Sequence, residues 1–235
     1  MGEPSKLGDM LWALLRVNDE TWGRYAFSRD LLNQRIRPQQ KAELIAGAVS
    51  CGKQYARRIS GEYGCADVRL LAERLKLRIE FQDASVTGKR ILFACYTPPD
   101  KVTIMVEPVR KAARLVSGEA PGLVDLFRQD DIMNTILGHE IFHVVEERFE
   151  PEIYTRTEKV VLWNLLGLKH RSTIRALSEI GAMAFTRELN GLNYSPFILD
   201  FLLYFSYDSS GAETIYRDVL GVGSGRCRET VEDNK

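Results

Sequence analysis

The 235-residue chain holds three histidines and four cysteines, and it has neither a long apolar run nor an excess of charge of one sign. Each shortage excludes a class of protein. Cys51, Cys65, Cys95 and Cys227 are scattered with no Cys-x-x-Cys pair, which argues against a cysteine-built zinc site and against a disulfide-stapled secreted fold. The longest strongly apolar stretch, residues 197–205, is interrupted by Asp200 and falls far short of the ~20 residues a spanning helix needs. Lys plus Arg (32) balances Asp plus Glu (32), so no global field draws the chain toward nucleic acid or anionic lipid. The start of the sequence has no basic segment followed by an apolar core, and Lys6 stands where a myristoylation pattern needs Ser or Thr. The expectation is a soluble, cytoplasmic protein with no membrane partner and no nucleic acid bound directly.

What is present is ordinary globular composition, 45% hydrophobic and 27% charged. The order of patterns predicts an α+β fold, mostly helical, with a small three-stranded antiparallel sheet. Residues 1–64 read as an N-terminal helical region packed on the core, 65–220 as the main domain and 221–235 as a flexible tail. Apolar or small residues at Ala42, Ile45, Ala46, Val49, Ala56 and Ile59 predict one long helix over residues 41–60, stopped by the glycines at 61 and 64. Gln40, Leu44, Val49 and Ser50 partly echo a helix-turn-helix, but the glycine turn of that motif is misplaced. A shorter helix follows over 66–75. The period then changes to two: Leu77, Ile79 and Phe81 alternate with polar residues, and residues 91–95 and 102–106 are β-rich runs separated by turn chemistry. From Pro108 onward the pattern reads as helical nearly to the end, with interruptions at 118–122, 149–155 and 190–196.

Two of the three histidines form His139-Glu140-Ile141-Phe142-His143, the H-E-x-x-H arrangement of zinc hydrolases. The chemistry needs a helix, because only there do positions i and i+4 turn their imidazoles toward one ion. The segment suits one: Asp130 and Asp131 can cap it, Ile132, Met133, Ile136, Leu137, Ile141, Val144 and Val145 recur at helical spacing, and no proline intervenes. Two imidazoles supply two ligands of a catalytic zinc, which takes a third from the protein and keeps one position open. Glu140, rotated ~100° from His139, falls beside the ion as general base for its water. The competing use of these histidines is a hydrogen-bonded, inert pair on a buried helix.

Glu146 and Glu147 lie too far along the same helix to share the ion, and the metzincin extension is excluded because Glu146 and Phe149 stand where it needs Gly and His. The third ligand is expected from a later helix over 172–189, where Glu179 sits among Ala176, Leu177, Ile180, Gly181, Ala182 and Met183. A carboxylate in such company needs a cation. Small Ala176 and Ala182 would let this helix approach the metal helix closely. A salt bridge from Glu179 to Arg175 is the competing use, and Glu188 and His170 are alternative ligands. His170, which reads as part of a solvated loop, and Tyr194 are candidate transition-state stabilisers, with Tyr204 and Tyr207 competing for that role.

With Tyr63-Gly64, the segment 70–75 (LLAERL), three short strands, His139-Glu140-x-x-His143 and Glu179-x-x-Ala182-x-x-Phe185 in this order, the chain resembles gluzincin-type metallopeptidases of the ImmA/IrrE family over about residues 42–189. The resemblance implies a zincin-like domain with one zinc ion, His139, His143 and Glu179 as ligands and Glu140 as base. It further implies cleavage of an intracellular protein partner, a transcriptional repressor. An exposed strand edge over 101–107 would hold the extended peptide. The alternative is a zincin scaffold that binds or regulates with little turnover.

Overall fold

The computed structural model describes residues 5–83, 93–165 and 168–223. The Ile91-Leu92 part of the second expected strand and residues 224–235 of the expected tail lie outside them. Two capped helices open the chain. α1 (Lys6–Leu15) starts where the Ser5 side chain accepts from the Gly8 N–H, and α2 (Asp19–Ser28) where Asn18 accepts from Thr21. α3 (Pro38–Tyr63) begins with proline, where a missing N–H leaves no intrahelical bond unmade, and ends at Gly64, whose φ of 61° is left-handed. It runs unbroken through residues 40–50, so the helix-turn-helix echo is part of one continuous helix. α4 (Val68–Arg74) follows, capped by Asp67.

The three expected strands are present as β1 (Arg78–Gln82), β2 (Ala94–Thr97) and β3 (Lys101–Met105), but the sheet is mixed. Its order is β1-β3-β2, with β2 antiparallel to β3 and β1 parallel to it in the register Arg78↔Lys101 to Gln82↔Met105. The chain between Gln82 and Lys101 is long enough for the crossover a parallel pair requires. The most apolar strand takes the middle: Val102, Thr103 and Ile104 are buried, whereas β1 and β2 have no buried residue. The segment expected to offer a free edge, 101–107, is therefore β3 paired on both sides plus the first residues of the next helix. The edge that borders the helix carrying His139 and His143 is β2.

α5 (Val106–Glu119) and a 3₁₀ segment (Pro121–Leu126) lead into α6 (Gln129–Arg148). Asp130 and Asp131 occupy its first turn, favourable at the positive end of the helix, although neither supplies a cap. A four-residue helix, α7 (Tyr154–Thr157), precedes an antiparallel pair, β4 (Lys159–Leu165) and β5 (Leu168–Thr173), in a region the sequence pattern assigns to helix and loop. The run Val160-Val161-Leu162-Trp163 is β-branched and aromatic, and so short an apolar run has no period that separates strand from helix. α8 (Arg175–Leu189), α9 (Ile198–Phe205) and α10 (Ser209–Gly223) complete the described chain.

α8 is wedged between α3 and α6, and glycines make the wedge fit. A Cβ on Gly52 of α3 would lie 2.2 Å from the Gly181 carbonyl oxygen, and one on Gly181 2.8 Å from the Phe142 ring. The small residue that admits the close approach is thus Gly181, flanked by the buried Ala176 and Ala182. The first turn of α8 is tied to the end of α2, because the Asp30 carboxylate accepts the Ala176 N–H at 2.9 Å. Buried apolar side chains from Leu7 to Val219 form a single cluster, so the N-terminal helices share one core with the rest. Among the described residues no helix is long and apolar enough to cross a membrane.

Candidate metal centre

α6 turns Ile132, Ile136, Ile141, Phe142 and Val145 into the core and presents His139 and His143 to a cleft of about 720 Å³. The two Nε2 atoms face each other at 3.1 Å, and the His139 Nε2 lies 3.5 Å from a Glu179 carboxylate oxygen on α8. One ligand atom from each of the three residues lies within 4.8 Å of the others. Tetrahedral zinc with Zn–N of about 2.0–2.1 Å sets its ligand atoms roughly 3.4 Å apart, close to the two shorter separations here. Two nitrogens and one carboxylate oxygen are a common catalytic zinc set. A salt bridge between Glu179 and Arg175 is not formed among the described residues, and Glu188 is engaged elsewhere, with Arg57 at 2.7 Å.

The environment prepares the rings for a cation. Burial, with the charge of His143 adding, pushes the His139 imidazole down to about 3, so it stays neutral with a lone pair to give. Burial works the same way on His143, but its hydrogen bond to Glu146 and the carboxylates of Glu179 and Glu140 outweigh it and raise the group. The His143 Nδ1 lies 3.5 Å from the Glu146 carboxylate, which only accepts, so Nδ1 carries the proton and Nε2 is left as the ligand atom. Among the described residues His139 lacks such a partner: its Nδ1 is buried with no hydrogen bond. Glu179 is half exposed to the cleft, yet desolvation still raises its carboxyl, as expected of a group waiting for a positive partner.

No protein-family model matches this chain, and no curated protein or solved structure shows detectable similarity to it. The site has to be read from its own atoms.

Glu140 lines the same cleft and is 7% exposed. Burial raises its carboxyl, while the His143 charge and the Tyr96 backbone N–H of β2 act in the opposite direction. The strand edge therefore reaches the general-base candidate itself. Tyr194 is not brought to the cleft: it is buried against Phe127, and its hydroxyl donates to the Leu126 carbonyl at 3.1 Å. Tyr207 bonds Glu107, and Tyr204 lines a neighbouring chamber. His170 lies on β5, paired with Trp163, rather than in a solvated loop, and its side chain lies outside the described ones.

Several residues of the site escaped the sequence reading. Glu146, weighed only as a ligand, is fully buried and accepts from Ser178 at 2.8 Å and from Arg156 at 2.9 Å. These partners and His143 overcome burial and hold its carboxyl below the usual range. Its signal was available: an acid three residues after His143, on the apolar face of the same helix, has no solvent to serve. Arg156 had none, since it arrives from α7, outside the helix that carries Glu146. Tyr96, whose hydroxyl donates to Glu147 at 2.7 Å, and Asp200 of α9 also line the cleft.

Proposed function

We propose that this chain is a zinc-dependent peptidase of gluzincin type with a zincin-like core, as its resemblance to the ImmA/IrrE family implies. His139, His143 and Glu179 would hold the ion. When bound, zinc supplies Lewis acidity, polarising a substrate carbonyl and acidifying the attacking water. Glu140 takes the proton of that water and delivers it to the departing amine, a task suited to a carboxyl that burial has made more basic. Glu146 holds the His143 ring in the tautomer that leaves Nε2 free.

The peptide would lie along β2. Phe93 already spends its carbonyl on the Met105 N–H of β3, so by antiparallel alternation Ala94 and Tyr96 turn their backbone groups outward to the cleft. An extended substrate added there passes over the ligand trio. The substrate class is a protein or peptide, and by the same resemblance an intracellular repressor.

The observation that carries this reading is the buried Glu140 carboxyl in the same cleft as three converging ligand atoms, a cleft walled by β2. The test is Glu140→Gln in the zinc-loaded chain. Zinc content should be unchanged while cleavage of a mixed peptide library falls by at least about a thousandfold. Equal cleavage in the variant would sink the assignment, and zinc binding with no cleavage in either protein would favour a binding scaffold.

A further inference from the structure

The cleft does not end at the three ligands. A second chamber of about 850 Å³ adjoins it, and Phe93, Glu179 and Asp200 line both. Asp200 stands in the first turn of α9, partly buried in this shared wall. Among the described residues no side chain donates a hydrogen bond to its carboxyl and no cation forms an ion pair with it. Arg29 acts on it only through space, and its guanidinium is bonded to the Tyr25 hydroxyl. Burial pushes the Asp200 carboxyl up to about 7 despite that cation. Among the described residues Asp200 is thus a partly buried acid without a partner, which is costly unless something else completes it.

The neighbouring charges decide what would complete it. In the cleft Arg156 is held by Glu146, while Glu147 and Glu150 add negative charge. In the second chamber Asp30 is spent on the N–H groups of Leu32 and Ala176, and Arg175 and Asp218 line that chamber but not the cleft of the three ligands. In the cleft of the three ligands, the uncommitted charge among the described residues is negative. Phe93 and, in the second chamber, Phe197 offer apolar surface for an alkyl stem whose charged end reaches Asp200.

We infer that Asp200 makes this wall a specificity pocket for a lysine or arginine side chain next to the scissile bond, its carboxylate pairing with the incoming cation. The inference rests on the peptidase reading above and deepens it by naming the substrate class as basic peptides. Asp200 acts here as a specificity residue and takes no part in bond breaking.

The probes are the hydroxamates of Nα-acetyl-lysine, Nα-acetyl-norleucine and Nα-acetyl-glutamate, which share one metal-chelating group and differ in the side chain. Calorimetry on the zinc-loaded full chain should give the lysine compound about tenfold tighter binding than its uncharged norleucine isostere, with glutamate weakest. In Asp200→Asn, which removes charge without adding bulk, lysine and norleucine should bind within about twofold of each other. Equal binding of the two by the wild-type chain overturns the inference, as does a lysine preference that survives in a zinc-loaded, folded Asp200→Asn. If no hydroxamate binds, the metal centre itself fails and the pocket falls with it. A lysine preference in a protein that cleaves no peptide would leave the pocket standing and remove the peptidase reading alone.

Discussion

The two imidazoles of α6 stand one turn apart in unlike surroundings. Around His143 the structure is saturated: Nδ1 faces Glu146, which is itself gripped by Ser178 and Arg156 with no exposure to solvent. Around His139 it is bare, for Nδ1 is buried without a partner and only Nε2 meets polar atoms, those of His143 and Glu179. One ring is fixed by a carboxylate, the other by packing alone. A metal-ligating imidazole ordinarily donates its other ring N–H to a carboxylate, carbonyl or water, so His143 has the usual support and His139, among the described residues, does not.

The strongest way to break this contrast is to remove each ring in turn. His139→Ala and His143→Ala should each weaken zinc binding by about a thousandfold or more, read by competition with a chelating dye. Unequal losses, with one variant near wild type, would show that the rings do not share an ion. Next in size is Glu146→Gln, which should weaken zinc by roughly 10- to 100-fold while leaving the ligands in place, because the accepting charge behind His143 is gone. No change would reduce Glu146 to a structural ion pair with Arg156.

Acid unfolding sharpens the contrast further, because the two rings carry opposite signs. His139 has a folded value near 3, below the ordinary 6.5, so below about pH 6.5 the unfolded chain binds the proton first and stability falls with acid until about pH 3. The slope from this ring alone approaches 1.4 kcal/mol per pH unit. His143 is raised, so its contribution is fully present below the unfolded value and disappears as pH rises through the folded one. In urea titrations of the metal-free protein between about pH 5 and 7.5, His139→Ala should therefore flatten the acid limb and His143→Ala steepen it. Parallel curves would refute the assignment. The smallest effect belongs to Ser178→Ala, which removes one of several donors to Glu146 and should cost about 1 kcal/mol of stability and only a few-fold in zinc affinity.

The legible parts of this molecule were those written in local spacing. A helix is specified by neighbours three and four residues apart, so α3, α6 and α8, and with them the converging His139, His143 and Glu179, could be read directly. Pairing partners in a sheet are not local. Nothing in residues 78–82 says whether their neighbour is β2 or β3, and the parallel β1–β3 pair depends on how the intervening chain returns. The same limit moved the sheet edge at the cleft from the expected 101–107 to β2. Val160 to Trp163 failed for another reason, since an apolar run that short carries no period. Arg156 and Asp200 belong to the site through tertiary approach, which sequence spacing does not encode.

The glycine contact between α3 and α8 reaches beyond packing. A side chain at position 52 would collide with the Gly181 carbonyl oxygen, two residues from Glu179. The stretch ahead of residue 64 is thus the rail against which Glu179 is set, and a shortened protein begun after it should lose the convergence of the three candidate ligands before it loses helicity. Anyone trimming this chain to the helices that carry His139, His143 and Glu179 must carry the long helix along.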